Sequence, residues 1–169
     1  SNDVWMFDME SGMEPKLVLE APDGSWWGPV DFAPGNDRLL VQQYISINDS
    51  RIHVVDLKSG DSERVAGSDE NPARNLAYAF SADGSGIYFG TDAGSEFNQL
   101  AYLDVGGDAE PEIITGDIDW SVDGLTLNHA RDAGAFATNE GGITRMYLFV
   151  PAVGSYNVIN QLPQADVGG

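Results

Sequence analysis

Apolar residues in this chain come in short alternating runs separated by polar turns. Leu76 to Phe80, the turn Ser81-Ala82-Asp83-Gly84-Ser85 and the run Gly86 to Phe89 set the pattern. Period-two alternation of aromatic and aliphatic side chains specifies strands, and Asp-Gly between two such runs specifies a hairpin. The same unit recurs 48 residues earlier, where Phe32 is followed by Ala33-Pro34-Gly35-Asn36-Asp37 and the run Arg38 to Val41. It recurs again 47 residues later, from Leu127 through a polar turn to Ala135-Phe136-Ala137. Asp8, Asp56 and Asp104 each close an apolar run at a spacing of 48, the run Met146 to Phe149 is a fourth copy, and Gly12, Gly60, Gly107 and Gly154 keep step.

A period in the forties with four short strands per unit predicts an all-β chain, a β-propeller built of small antiparallel sheets around an axis. No window sustains the 3.6-residue periodicity that helical solenoids of similar period need. The pattern predicts fourteen strands. Two of them, 3–7 and 16–20, form an outer half-blade within residues 1–20. The first full blade, 21–67, takes strands 28–32, 38–44, 51–57 and 62–66. The second, 68–115, takes 75–80, 86–91, 98–104 and 112–115, and the third, 116–161, takes 124–128, 134–138, 145–150 and 157–161. Residues 162–169 read as the approach to another inner strand. The expectation is therefore a propeller fragment of about three and a half four-stranded blades, since closed rings need roughly four to eight. Small residues at Gly28, Ala77, Ala79 and Gly124 are expected to line the crowded axis. Trp5, Trp26, Trp27, Trp120, Phe32, Phe80, Phe89 and Phe136 are expected to fill the layers between blades.

Charge changes the range of partners. Lys plus Arg is 8 against 27 for Asp plus Glu, a formal charge of -19. A surface this negative repels a phosphate backbone, so no nucleic-acid partner is expected. No apolar run approaches the ~20 residues that span a bilayer, so no membrane partner is expected either. Cysteine is absent, which removes disulfides and thiolate chemistry and leaves cytoplasmic and periplasmic locations both open.

Candidate chemistry is sparse. The sequence contains neither a Gly-x-Ser-x-Gly elbow, nor His-Glu-x-x-His, nor a Gly-rich phosphate loop ahead of Lys. Asp117, Asp119 and Asp123 invite a calcium reading, but Val122 stands where an EF-hand loop needs Gly, and turn capping is the expected role of Asp119 and Asp123. His53 falls within an alternating strand and His129 within a turn, so neither is assigned to catalysis. No catalytic residue, cofactor or metal ligand is expected in this chain. Contact residues are expected instead at two hairpin tips, in the segments 44–50 and 92–97, where Tyr44, Ile45, Ile47 and Phe97 put apolar side chains into loops beside Asn48 and Glu96.

Four stretches carry a family resemblance: Gln43 to Ser50 with Val54 to Leu57, Thr91 to Phe97, Leu100 to Asp104 leading to Thr115 to Ile118, and Ala135 to Gly142 with Arg145 to Leu148. In these the chain resembles the propeller domain of the prolyl oligopeptidase family of serine peptidases, in its acylaminoacyl-peptidase-like and dipeptidyl-peptidase-like branch. Its WD40-like repeat type is shared with TolB-like proteins. Asn128-His129-Ala130-Arg131 departs from the Ser-Pro-Asp-Gly turn usual in the family. The resemblance implies a propeller that gates peptide access to an α/β-hydrolase domain elsewhere in the parent protein. A stand-alone TolB-like protein-binding propeller is the alternative. A sialidase-like reading is weak, because the Ser-x-Asp-x-Gly-x-x-Trp box is absent. Open strand edges at both ends of the repeat array also lead to the expectation of a homo-oligomer or of packing against the rest of the parent.

Overall fold

The computed structural model describes residues 2–9, 14–107 and 109–160. Within them the alternating runs become fourteen strands: β1 (Val4–Phe7), β2 (Pro15–Leu19), β3 (Trp26–Phe32), β4 (Arg38–Ser46), β5 (Asp49–Asp56), β6 (Ser62–Ala66), β7 (Asn75–Phe80), β8 (Gly86–Thr91), β9 (Gln99–Asp104), β10 (Glu112–Ile113), β11 (Val122–Leu127), β12 (Gly134–Asn139), β13 (Thr144–Val150) and β14 (Ser155–Val158). They form a two-stranded sheet, β1-β2, and three four-stranded meanders, β3 to β6, β7 to β10 and β11 to β14, with every pairing antiparallel. The fold is a β-propeller fragment. Residues 10–12 of the turn expected at 9–12, and the expected next strand at 162–169, lie outside the described residues.

Because successive side chains on a strand point to opposite faces, each blade has one face for the blade before it and one for the blade after it. Three apolar clusters follow. Val4, Val18, Trp27, Leu39, Val41 and Val55 sit between the half-blade and the first full blade. Ala33, Leu40, Ile52, Phe80, Ile87, Phe89, Ala101 and Leu103 join the first and second full blades. Tyr88, Leu100, Ile118, Val122, Phe136, Tyr147 and Phe149 join the second and third. Strand β8 is buried along its whole length, Ile87 and Phe89 facing one way and Tyr88 the other. At ~25 cal/mol per Å² of apolar surface removed from water, these layers are the main source of stability.

The aromatic assignment needs correction. Trp27, Phe80, Phe89 and Phe136 are buried between blades, but Trp5, Trp26, Phe32 and Trp120 are exposed. Trp26 and Trp27 are adjacent on one strand, so only one can face the interior. Trp26 lies instead over Gly28: a Cβ there would come within 2.2 Å of its ring, so the glycine makes room for the indole. Strands also run differently at the edges. β4 and β5 extend to the pair Ser46 and Asp49, leaving only Ile47 and Asn48 at the tip of the expected 44–50 loop. β10 stops at Ile113, because the Thr115 hydroxyl accepts the Leu100 amide at 2.9 Å and replaces a backbone carbonyl in the ladder.

Candidate functional site

The inner strands β3, β7 and β11 begin at one end of the fragment, here the upper end, and finish at the lower end. The β4–β5, β8–β9 and β12–β13 tips share the upper end, and the β3–β4, β7–β8 and β11–β12 turns share the lower.

At the lower end the blades are clipped by charge. A register shift in β3 between Pro29 and Asp31 presents the Asp31 carboxylate to the next blade, where its Oδ2 accepts the Phe80 amide at 2.8 Å. Arg131 then crosses from the last blade. Its Nη1 donates to Asp31 Oδ2 at 2.5 Å and to the Phe80 carbonyl at 2.9 Å, and its Nη2 to Asp31 Oδ1 and the Phe32 carbonyl, both at 3.0 Å. One guanidinium thus holds all three full blades in a bidentate, charge-assisted arrangement. The turn that delivers it is built on Asn128, whose Oδ1 accepts the Asp132 and Ala133 amides, and it puts Arg131 in the left-handed region at φ 57°. Arg38 makes a parallel clip, donating at 2.7 Å to the Gly84 carbonyl and stacking over the Phe80 ring. Asp83 serves its own turn: bonds from the Ser85 amide and the Ser81 and Ser85 hydroxyls pull its carboxyl down to about 2.

Below the upper tips the ties are neutral. The Ser50 hydroxyl accepts the Asn75 amide and donates to the Asn75 carbonyl, both at 2.8 Å. Gln42 Nε2 donates to that same carbonyl at 2.9 Å, and its Oε1 accepts the Ala77 amide. In the next blade, 48 residues on from Ser50, Asn98 donates to the Val122 carbonyl at 2.7 Å while its own carbonyl accepts the Val122 amide. Each tie fixes the first residue of the following inner strand to the preceding blade.

The expected contact residues divide in two. Tyr44 is 44% exposed, Ile45 40% and Ile47 72%, with Asn48 exposed at the turn. Glu96 is exposed, whereas Phe97 is half-buried, its amide bonded to Ser95. A cleft of about 280 Å³ brings Asn48 together with Asp92, Ala93, Gly94 and Ser95 across Pro72 and Ala73; Glu96 and Phe97 do not line it. Trp26, the cross-strand partner of Tyr44, is 51% exposed and belongs to this surface. The double tryptophan was its sequence signal, and strand alternation decides which of the two faces out.

Both histidines are accounted for. His53 packs at 4.6 Å against Trp27 and donates from Nε2 to Gln43 Oε1, the amide orientation being set by Gln43 Nε2 donating to Asp23. Burial and the nearby Arg64 and Arg51 charges push it down to about 4. His129 is exposed in its turn. Of the three carboxylates weighed for calcium, Asp117 accepts the Tyr156 hydroxyl, and Asp119 and Asp123 are exposed.

The segment defined by these features is a propeller piece, and solved structures agree. TolB from Acinetobacter baumannii superposes with a TM-score of 0.70 at 17% identity, over 92% of this chain and 37% of that one. A putative TolB from Agrobacterium tumefaciens gives 0.66 at 21% identity, over 85% and 51%. Oligopeptidase B from Leishmania major gives 0.69 at 16% identity, over 96% and 24%. The chain therefore spans about a quarter to half of the proteins it resembles. No protein-family model matches it, and neither does any curated protein.

Proposed function

We propose that this chain is a non-catalytic propeller segment of a serine peptidase or esterase of the prolyl oligopeptidase type, in the acylaminoacyl-peptidase-like and dipeptidyl-peptidase-like branch. In this reading it controls which peptides reach an α/β-hydrolase domain of the parent protein. The observation that carries it is the asymmetry of the two ends: charged clips cross the lower end beside the exposed Phe32, while at the upper one Trp26, Tyr44, Ile45 and Ile47 are all partly exposed with no such clip. Apolar side chains that the fold leaves in solvent at loop tips mark contact surfaces. Reaction of the full-length protein with a fluorophosphonate probe tests the reading. Labelling of a serine outside residues 1–169 is expected, and absence of any labelled serine overturns it.

A stand-alone TolB-like binding propeller is the second reading, favoured by the two TolB chains, of which this chain covers a larger share than of the peptidase. It has the opposite outcome in the same experiment. The outward face of β11 to β14, where Leu148 and Val150 are exposed, is the proposed packing face for further blades or a second copy, and light scattering of the purified protein tests for the copy.

A further inference from the structure

Two features that the fold does not need meet at the upper end of the first and second full blades. One is an apolar platform. Trp26 and Tyr44 are register partners on β3 and β4, both about half exposed, and the exposed Ile45 and Ile47 follow along the chain to the tip. The indole is seated in the space that Gly28 leaves open, so the platform is largely formed before anything binds. The other feature is a negative surround. The cleft that Asn48 lines holds Asp92, whose Oδ1 accepts the Arg74 amide at 2.7 Å, and the loops bounding it carry Glu70 and Glu96. Of the cations nearby, Arg51 is shared between Asp49 and Asp69 and Arg64 is held by Asp69, at 2.7 Å for Arg51–Asp69 and 2.8 Å for Arg64–Asp69, so these four groups balance; Arg74 then offsets one of the remaining carboxylates and the surround stays negative. Beyond them the whole chain carries a formal -19.

Apolar anchors set affinity by leaving water, and the sign of the surrounding field sets which partner approaches and in what register. An acidic or neutral apolar segment gains the first term and meets repulsion or nothing from the second; a basic segment without apolar residues gains only the second. We propose that this surface binds a polypeptide segment in which lysine or arginine alternates with apolar residues. The aliphatic or aromatic side chains lie on Trp26, Tyr44 and Ile47, and a basic side chain enters the cleft towards Asp92. The inference deepens the functional reading above by naming the class of polypeptide that the propeller selects.

The test uses the full-length protein and fluorescence anisotropy with three labelled octapeptides: alternating leucine and arginine, alternating leucine and glutamate, and octa-arginine. The leucine–arginine peptide is expected to bind, and the other two to bind at least about tenfold more weakly. A Tyr44→Ser, Ile47→Ser double variant is expected to lose about tenfold in affinity for the first peptide while keeping a cooperative thermal transition. Equal binding of the leucine–glutamate peptide, undiminished binding by the double variant, or no binding at all overturns the proposal. Protection of the Tyr44 and Ile47 side chains from hydroxyl-radical labelling without peptide assigns the surface to a domain interface, which also overturns it while leaving the hydrolase reading intact. Peptide binding by a protein with no fluorophosphonate-reactive serine does the reverse.

Discussion

The lower and upper ends of this fragment solve the same problem, holding neighbouring blades in register, with different chemistry. At the lower end the solution is ionic. Arg131 and Asp31 are one hundred residues apart in sequence, and their pairing draws in the carbonyls of Phe32 and Phe80 and the amide of Phe80. At the upper end Ser50, Gln42 and Asn98 do the corresponding work with neutral groups set below the tips. Of the side chains beyond them, Tyr44 and Ile45 are partly exposed and Ile47 is left largely to solvent. The contrast separates groups held by the fold from groups that the fold leaves available. A charge that is satisfied four times over within the chain has nothing left to offer a ligand, whereas an exposed apolar tip gains by being covered.

The harshest way to break the contrast is to remove the ionic clip. Arg131→Ala leaves the half-buried Asp31 carboxylate without its counter-charge and two carbonyls without a donor, and we expect a loss of about 2–4 kcal/mol in urea unfolding. Arg131→Lys keeps the charge and loses the fork, so it should recover only part of this. The same variants made together with Asp31→Asn should be clearly non-additive, and additive losses would show that the guanidinium acts through something other than Asp31.

Next in size is the neutral tie. Ser50→Ala strands the buried Asn75 amide, and the expected cost is about 1–3 kcal/mol by the same measurement. A loss as large as that of Arg131→Ala would erase the distinction drawn between the ends.

A smaller effect follows pH. Burial holds His53 at about 4, against 6.5 for an ordinary histidine, so the folded protein refuses a proton that the unfolded chain accepts. Stability from this group is fully present above about pH 6.5 and is lost as pH falls from there towards about 4. Comparing wild type with His53→Gln across that window isolates the contribution; equal slopes would refute it.

Least of all is expected from the tip. Ile47→Ser should change stability by less than ~0.5 kcal/mol, because Ile47 stays 72% exposed on folding, and Tyr44→Ser, at 44% exposed, by somewhat more. A substantial loss would place these residues with the fold rather than with a partner.

Much of the architecture was already legible in one dimension. Strict alternation gives strands, and the recurrence of Asp8, Asp56 and Asp104 at a spacing of 48 gives the blades. Strands such as Asn75–Phe80 and Gly86–Thr91 have the bounds their apolar runs announced. Of the candidate tip residues, Ile47 and Asn48 sit at the two-residue tip, whereas Tyr44 and Ile45 lie on β4 and Phe97 is half-buried. The deviations share a cause. A run of alternating residues specifies two faces without saying what covers each, so Trp26 and Trp27 looked alike until one was seated over Gly28 and the other under the half-blade. Likewise Asn128 to Arg131 read as a degraded turn, because nothing local to it mentions Asp31. The sequence by itself determined the period, the strands and the surplus of negative charge, all of which follow from near neighbours or from composition. Only the tertiary structure decided that Arg131 spans three blades, that β4 and β5 carry the 44–50 segment out to a two-residue tip, and that a cleft opens between Asn48 and Asp92. Each of these depends on the distance between groups remote in sequence, which is fixed only when blades stack and their twist brings the ends of the inner strands together.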